Sequence, residues 1–181
     1  GGDIKFISGE DKMLQTTTNN VLIFNPYYEG TEITFGLLHT FSKNIQYGIS
    51  IDLPSSLNVR DNFTYSDQIE PDSSFSDTWH YNVKKPTTFH LGTSILLKNI
   101  NLFYEFEFTD WHHLKFSSSS IYQGDIPASI FINEEIRETL ISTSLHHFGI
   151  GYHFSNFPLH IYAGYEYLPV PFRDQYENNL R

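Results

Sequence analysis

Cysteine is absent from the 181 residues. That excludes a disulfide framework, a thiolate metal site and a cysteine nucleophile. Positive charge is scarce: 11 Lys and Arg stand against 21 Asp and Glu, for a net charge of −10. Nucleic acid is therefore not an expected partner, because phosphate binding needs clustered Lys and Arg. Long apolar runs are missing too. The longest are VLIF at 21–24 and SILL at 94–97, far short of the ~20 residues of a membrane-spanning helix. A strand barrel is not excluded in this way, because alternating strands never give such a run. The opening Gly-Gly-Asp carries no basic segment followed by an apolar one, so either a leader has been removed or the chain is a piece of something longer.

Aromatic residues are abundant. They make up 17% of the chain, with 16 Phe and 12 Tyr, yet the mean hydropathy is −0.33. Many aromatics in a mildly hydrophilic chain suit strands that alternate apolar and polar residues. The alternation is visible three times, each time in two runs joined by a tight turn. In the first hairpin, Ile33, Phe35, Leu37, His39 and Phe41 alternate with Thr34, Gly36, Leu38 and Thr40. After Ser42-Lys43-Asn44, Ile45, Tyr47, Ile49, Ile51 and Leu53 alternate with Gln46, Gly48, Ser50 and Asp52. In the second, Phe89, Leu91, Thr93, Ile95 and Leu97 share a side. Beyond Lys98-Asn99, Ile100, Leu102, Tyr104, Phe106 and Phe108 stand opposite Asn101, Phe103, Glu105, Glu107 and Thr109. The third joins 145–154 to 159–167, where Leu159, Ile161, Ala163, Tyr165 and Tyr167 oppose His160, Tyr162, Gly164 and Glu166.

The remaining stretches, about 9–30, 54–85 and 112–143, are polar and turn-rich and are expected to be long external loops. Within them, 57–65 and 78–83 could extend the flanking strands. A short helix is expected over 133–140, with Asn133 as its N-cap and Glu134 and Glu135 in its first turn. Strict alternation of short and long connections places all tight turns at one end of a meander and all long loops at the other, the asymmetry of outer-membrane barrels. The off-face residues are Gly, Ser, Thr and His with a few acids. That mixture suits a crowded polar lumen better than a surface in water. The expected fold is all-β: an antiparallel up-and-down transmembrane β-barrel, of which 1–181 forms one segment of six or seven strands. The rival is a soluble β-sandwich or jelly roll.

Catalytic and metal chemistry find little support. His112-His113 and His146-His147 invite a metal reading, but neighbouring strand residues point to opposite faces. Glu105 and Glu107 share a strand face with Cβ atoms ~7 Å apart, without a partner constellation for hydrolysis. No nucleophile elbow or ordered triad is visible. No catalytic residue, metal or cofactor is assigned.

Three segments carry a resemblance. AGYEYLPVPF (163–172), Lys85-Pro86 with FHLGTSILLKNINLFYEFEFTDW (89–111), and HHFGIGYHF (146–154) resemble, in order, motifs of the FadL-type outer-membrane transporters. The resemblance covers about 31–172 and corresponds to the middle and later part of a family member. It implies a larger, fourteen-stranded barrel with an N-terminal hatch. Neither the hatch's Asn-Pro-Ala signature nor a terminal strand ending in an aromatic residue is found here, so the chain resembles part of a barrel. The implied function is passive transport of long-chain fatty acids or aromatic hydrocarbons across a bacterial outer membrane, without catalysis or cofactor. The implied partners are hydrophobic small molecules, outer-membrane lipid and lipopolysaccharide. Alternatives are a scaffold or shuttle for secreted proteins on the same fold, a lipid-modifying barrel enzyme, and a soluble binding module. The candidate lumen residues are Phe103, Phe148 and Tyr162, with Glu105, Glu107 and Glu166 as polar contacts. The candidate external groove is the loop at 126–132, with Ile126, Ile130 and Phe131.

Overall fold

The computed structural model describes every residue except 18, 19, 68, 70, 119, 120, 124, 125, 156 and 174–181. The elements are β1 (Gly2–Glu10), β2 (Met13–Thr16), β3 (Asn20–Ser42), β4 (Ile45–Asp52), β5 (Ser55–Asp67), β6 (Phe75–Lys85), β7 (Thr88–Leu97), β8 (Ile100–Asp110), β9 (Lys115–Ser117), β10 (Tyr122–Gln123), β11 (Ile126–Pro127), α1 (Ala128–Thr139), β12 (Ser142–His153) and β13 (His160–Tyr167). Short 3-10 turns occupy Pro71–Ser73 and Trp111–His113.

Apart from the small β10–β11 pair, all strands form one antiparallel sheet. It has two levels. The near level runs β3-β4-β7-β8-β12-β13 and the far level β2-β3-β5-β6-β9, while β1 pairs with β3 from Tyr27 to Phe35 and so straddles the two. β3 passes unbroken through both: residues 34–42 pair with β4 and residues 20–31 with β5 on one side, and β1 accompanies it across the same height on the other. On the β4–β5 side the strands break at one height. β4 and β5 are collinear and interrupted at Leu53-Pro54, β6 and β7 at Pro86-Thr87, and β8 and β9 by the 3-10 turn at 111–113. Proline supplies no N–H to a ladder, so Pro54 and Pro86 end pairing where they fall.

The meander of tight turns follows the alternation in the sequence. Lys43-Asn44 and Lys98-Asn99 are the turns, and Lys98 takes φ 56°, the left-handed backbone that two-residue hairpins use. The expected loops are different. Residues 9–30 supply the end of β1, all of β2 and half of β3, and residues 54–85 supply β5 and β6. Turn-prone pairs are overridden by ladder pairing, Glu29-Gly30 on both sides of β3 and Asn25-Pro26 on the β5 side. Pro26 is accommodated because its carbonyl accepts from Asp11 N–H at the β1–β2 break, where β3 has no strand partner to donate to.

The third expected loop, 112–143, holds the helix, which starts at Ala128 rather than at Asn133. Asn133 is not a cap. Its Oδ1 accepts from Phe116 N–H at 2.7 Å, while its Nδ2 donates to the Phe116 carbonyl at 2.7 Å and to Ser129 O at 2.6 Å. The side-chain amide thus pairs with β9 as another strand would, and α1 covers that edge.

Among the described residues the sheet is not closed: β13 at one side, and β1, β2 and the end of β3 beyond Gly36 at the other, have unpaired outer edges. It is also a single layer. Among the described residues the buried hydrophobics are Phe63 and Leu140. Leu37, Ile49, Leu91 and Ile161 remain 70%, 53%, 47% and 53% exposed, so no second sheet covers them as a sandwich would require.

Replacing Asn133 by Ala leaves both backbone groups of Phe116 without a partner. The expected outcome is faster hydrogen exchange at the Phe116 amide and a loss of about 1–3 kcal/mol in unfolding measurements.

Candidate functional site

Ladder register assigns every strand residue to one of two faces. On the near level the first face carries the row Leu37–Ile49–Leu91–Phe106–His146–Tyr167 and the row Phe35–Ile51–Phe89–Phe108–Ser144. The second face carries Thr34–Asp52–Thr88–Thr109–Thr143, Gly36–Ser50–His90–Glu107–Leu145 and Leu38–Gly48–Gly92–Glu105–His147–Glu166. The first face is apolar and the second polar and small.

Because β3 runs through without interruption, the same faces can be followed past the break. There they exchange character. The second face becomes Gly30–Leu57–Val83–Phe116, Tyr28–Val59–Tyr81, Pro26–Asp61–Trp79 and Phe24–Phe63–Asp77. The first becomes Thr31–Ser56–Lys84–Lys115, Glu29–Asn58–Asn82–Ser117, Tyr27–Arg60–His80 and Asn25–Asn62–Thr78. Val21 and Ile23 are the exceptions at the far end of β3.

The polar half of the second face is organised around His90. Thr34 Oγ1 donates to Asp52 Oδ1 at 2.6 Å, and His90 Nε2 lies 3.1 Å from Asp52 Oδ2. Glu105 and Glu107 place carboxylate oxygens 3.7 and 3.6 Å from His90 Nδ1. At the height of the break Lys85 Nζ meets Glu32 Oε1 at 2.7 Å. A cavity of about 520 Å³ lies over Gly36, Gly48 and Gly92, beside His90 and Glu105.

Of the candidate residues, Glu105 and Glu107 therefore meet at one histidine, and Glu166 stands across the ladder from His147 on the same face. Phe103 and Tyr162 share that face but cover glycines. A Cβ at Gly149 would sit 3.4 Å from the Phe103 ring, and one at Gly151 would sit 2.8 Å from the Tyr162 ring. Aromatic cover of this kind protects backbone that has no side chain of its own. Phe148 is a correction: it pairs with Tyr104 and Tyr165 on the first, apolar face, because it is one residue out of phase with His147 and Gly149. Ile126, Ile130 and Phe131 lie on β11 and α1, exposed at 46%, 55% and 40%, and take no part in either face of the sheet.

The histidine pairs also separate. His146, 2.9 Å from the Tyr104 hydroxyl, and His147 point to opposite faces. His112 and His113 do not alternate, because they sit on a 3-10 turn rather than a strand. Both Nδ1 atoms reach Asp110, at 2.8 and 3.0 Å. Among the described residues no group of three His, Asp or Glu side chains is placed to hold a metal ion.

The aromatic half of the second face was not anticipated from the sequence. Phe63 packs against Phe24 (5.1 Å between centroids), Phe75 (5.5 Å) and, nearly parallel, Trp79 (5.3 Å). Tyr81 packs on Phe116 at 5.1 Å. Set among them is Asp61, 7% exposed, whose Oδ1 has no hydrogen-bond partner among the described residues. Burial pushes its carboxyl above the ordinary value, against the Asn25 backbone N–H, which favours the charge. The Tyr81 hydroxyl is raised by its own burial and then by the Asp61 charge. The available signal was alternation within the assumed loops: Phe24, Pro26 and Tyr28, then Asp61, Phe63 and Tyr65.

No family model, curated protein or solved structure matches this chain. The functional reading therefore rests on the two faces and on the sequence motifs.

A carboxyl raised by burial makes the folded state bind its proton more tightly than the unfolded chain. Its charge then costs stability above the folded value, and the cost fades as pH falls to the ordinary value. Asp61→Asn should therefore unfold later than the parent at neutral pH. The gap should close through the acidic carboxylate range in thermal melts at stepped pH, and an equal gap at all pH values would contradict the assignment.

Proposed function

We propose that the chain is a wall segment of an outer-membrane β-barrel that passes hydrophobic compounds passively, with the near level in the bilayer and the far level outside it. One observation carries this reading: the exchange of apolar and polar faces along β3 and its neighbours at the height of Pro54 and Pro86. In lipid a strand turns its apolar side outward and its polar side to the lumen. In water the same strand must do the opposite. A sandwich would keep one apolar face along its whole length.

The dimensions are compatible. Ile100 to Phe108 on β8 cover roughly 27 Å of strand, or about 20 Å of height at a usual tilt, close to the ~25 Å apolar band of such barrels. The glycines and small residues of the second face suit a crowded lumen. Backbone edges are not tolerated in hydrocarbon, so the proposal requires the outer edges of β13 and of β3 beyond Gly36 to be paired in the membrane.

The aromatic lining of the far level supports a hydrophobic solute. Rings around Phe63 and Trp79 offer apolar area facing what would be the barrel's external mouth, where a solute could leave water. The FadL-like motifs at 89–111, 146–154 and 163–172 point to the same class, long-chain fatty acids or aromatic hydrocarbons. We assign no catalytic step. The polar cluster at His90 would lie deeper in the lumen, and a purely hydrophobic solute would have to leave the aromatic lining before reaching it.

Two measurements test the reading. A lysine at the bilayer midplane on the lipid side costs about 2–4 kcal/mol, so Ile49→Lys should abolish folding into vesicles while Ser50→Lys, one residue away on the other face, is tolerated. Equal tolerance of both would contradict the face assignment. Vesicles holding the folded protein should take up a labelled long-chain fatty acid faster than protein-free vesicles, and equal rates would remove the transport role.

A further inference from the structure

The chain is acidic overall, yet one place on its surface is basic. Lys84 and Lys115 are direct partners across the β6–β9 ladder, on the first face immediately beyond the break. Like charges in that position repel. Both are exposed, and among the described residues neither has an ion-pair partner. His113, 72% exposed, stands beside them with its Nδ1 on Asp110. Asp110 is the one carboxylate among the described residues that line the site, already engaged by His112, His113 and Ser142.

These groups rim a cavity of about 470 Å³ whose other wall is Phe89 and Phe108. Those two rings form the top row of the apolar band. The cavity is thus basic above and aromatic below, at the height where the face changes character. Its amphipathic lining matches a lipid rather than a free anion: a phosphate against the lysines and an acyl chain along the rings.

We propose that Lys84, Lys115 and His113 form a seat for the phosphate headgroup of an anionic lipid on the outer wall of the barrel. The inference rests on the membrane reading above and adds to it a defined lipid contact. The headgroup would neutralise the Lys84–Lys115 repulsion and fix the height of the wall in the bilayer.

The full chain is folded into vesicles in which brominated phosphatidylglycerol or brominated phosphatidylcholine serves as quencher of tryptophan fluorescence. The native Trp79 and Trp111 lie toward the second face, so both are replaced by Phe and Phe89→Trp, in the cavity wall, reports the contact in this parent background. The parent should prefer phosphatidylglycerol. The preference should fall about fivefold in Lys84→Gln or Lys115→Gln and about twenty-five-fold in the double variant, the scale of one surface lysine each. Lys98→Gln, at the opposite turn, should leave it unchanged. Equal preference in the double variant and the parent, or an equal loss with Lys98→Gln, overturns the seat. Displacement of the lipid by millimolar inorganic phosphate would overturn the lipid as its occupant. Failure of the parent to insert at all would overturn the membrane reading and the seat together, whereas insertion without lipid preference overturns the seat alone.

Discussion

Unbroken backbone pairing along β3 is the constraint on which the structure depends. A strand presents successive residues to opposite sides, and a continuous ladder cannot lose that phase. β3 holds its phase from Asn20 to Ser42, so the two halves of the sheet share common faces. The apolar residues nevertheless change sides between Tyr28 and Leu37. No local propensity requires this. It reflects two different surroundings along one strand, and the proposed bilayer boundary supplies them.

The neighbours meet that boundary differently. Where β3 continues, β4–β5 and β6–β7 contain proline and β8–β9 inserts the turn at 111–113. The breaks let two of the three ladders shift register: Thr34 pairs with Asp52 but Thr31 with Ser56, and Thr88 pairs with Thr109 but Lys84 with Lys115, whereas Asp52–Thr88 and Ser55–Lys85 keep one register. The Lys85–Glu32 pair and the Thr88–Thr109 contact, 3.0 Å between hydroxyls, lie on the second face at this height. Charged and hydroxyl side chains thus satisfy one another where the ladders are interrupted.

The near level was legible in the sequence. Its three hairpins, their turns and the composition of both faces followed from period-2 alternation alone. The far level was legible in part: the strand extensions expected at 57–65 and 78–83 lie in β5 and β6, whereas 20–30 reads as loop because Asn25-Pro26 and the polar residues carry that signature and the alternation of Phe24 with Asn25 is too short to stand out. The long partners that hold these segments as strands are remote in the chain, and a local window does not see them. Phe148 was misplaced for a simpler reason: aromatic character suggested a lining, while its phase put it with Tyr104. Asn133 was read as a cap from residue type, whereas its partner, Phe116, belongs to a strand that only the folded chain brings near.

The aligned interruptions have a mechanical consequence. Three of the ribbons that cross the boundary are creased along one line, and β3, with β1 paired to it across that height, is a stiff spine. Rocking of the far half against the near half would fold along that crease and pivot about the spine. The aromatic pocket around Phe63 would then move as a flap, while the cluster around His90 stayed fixed in the wall.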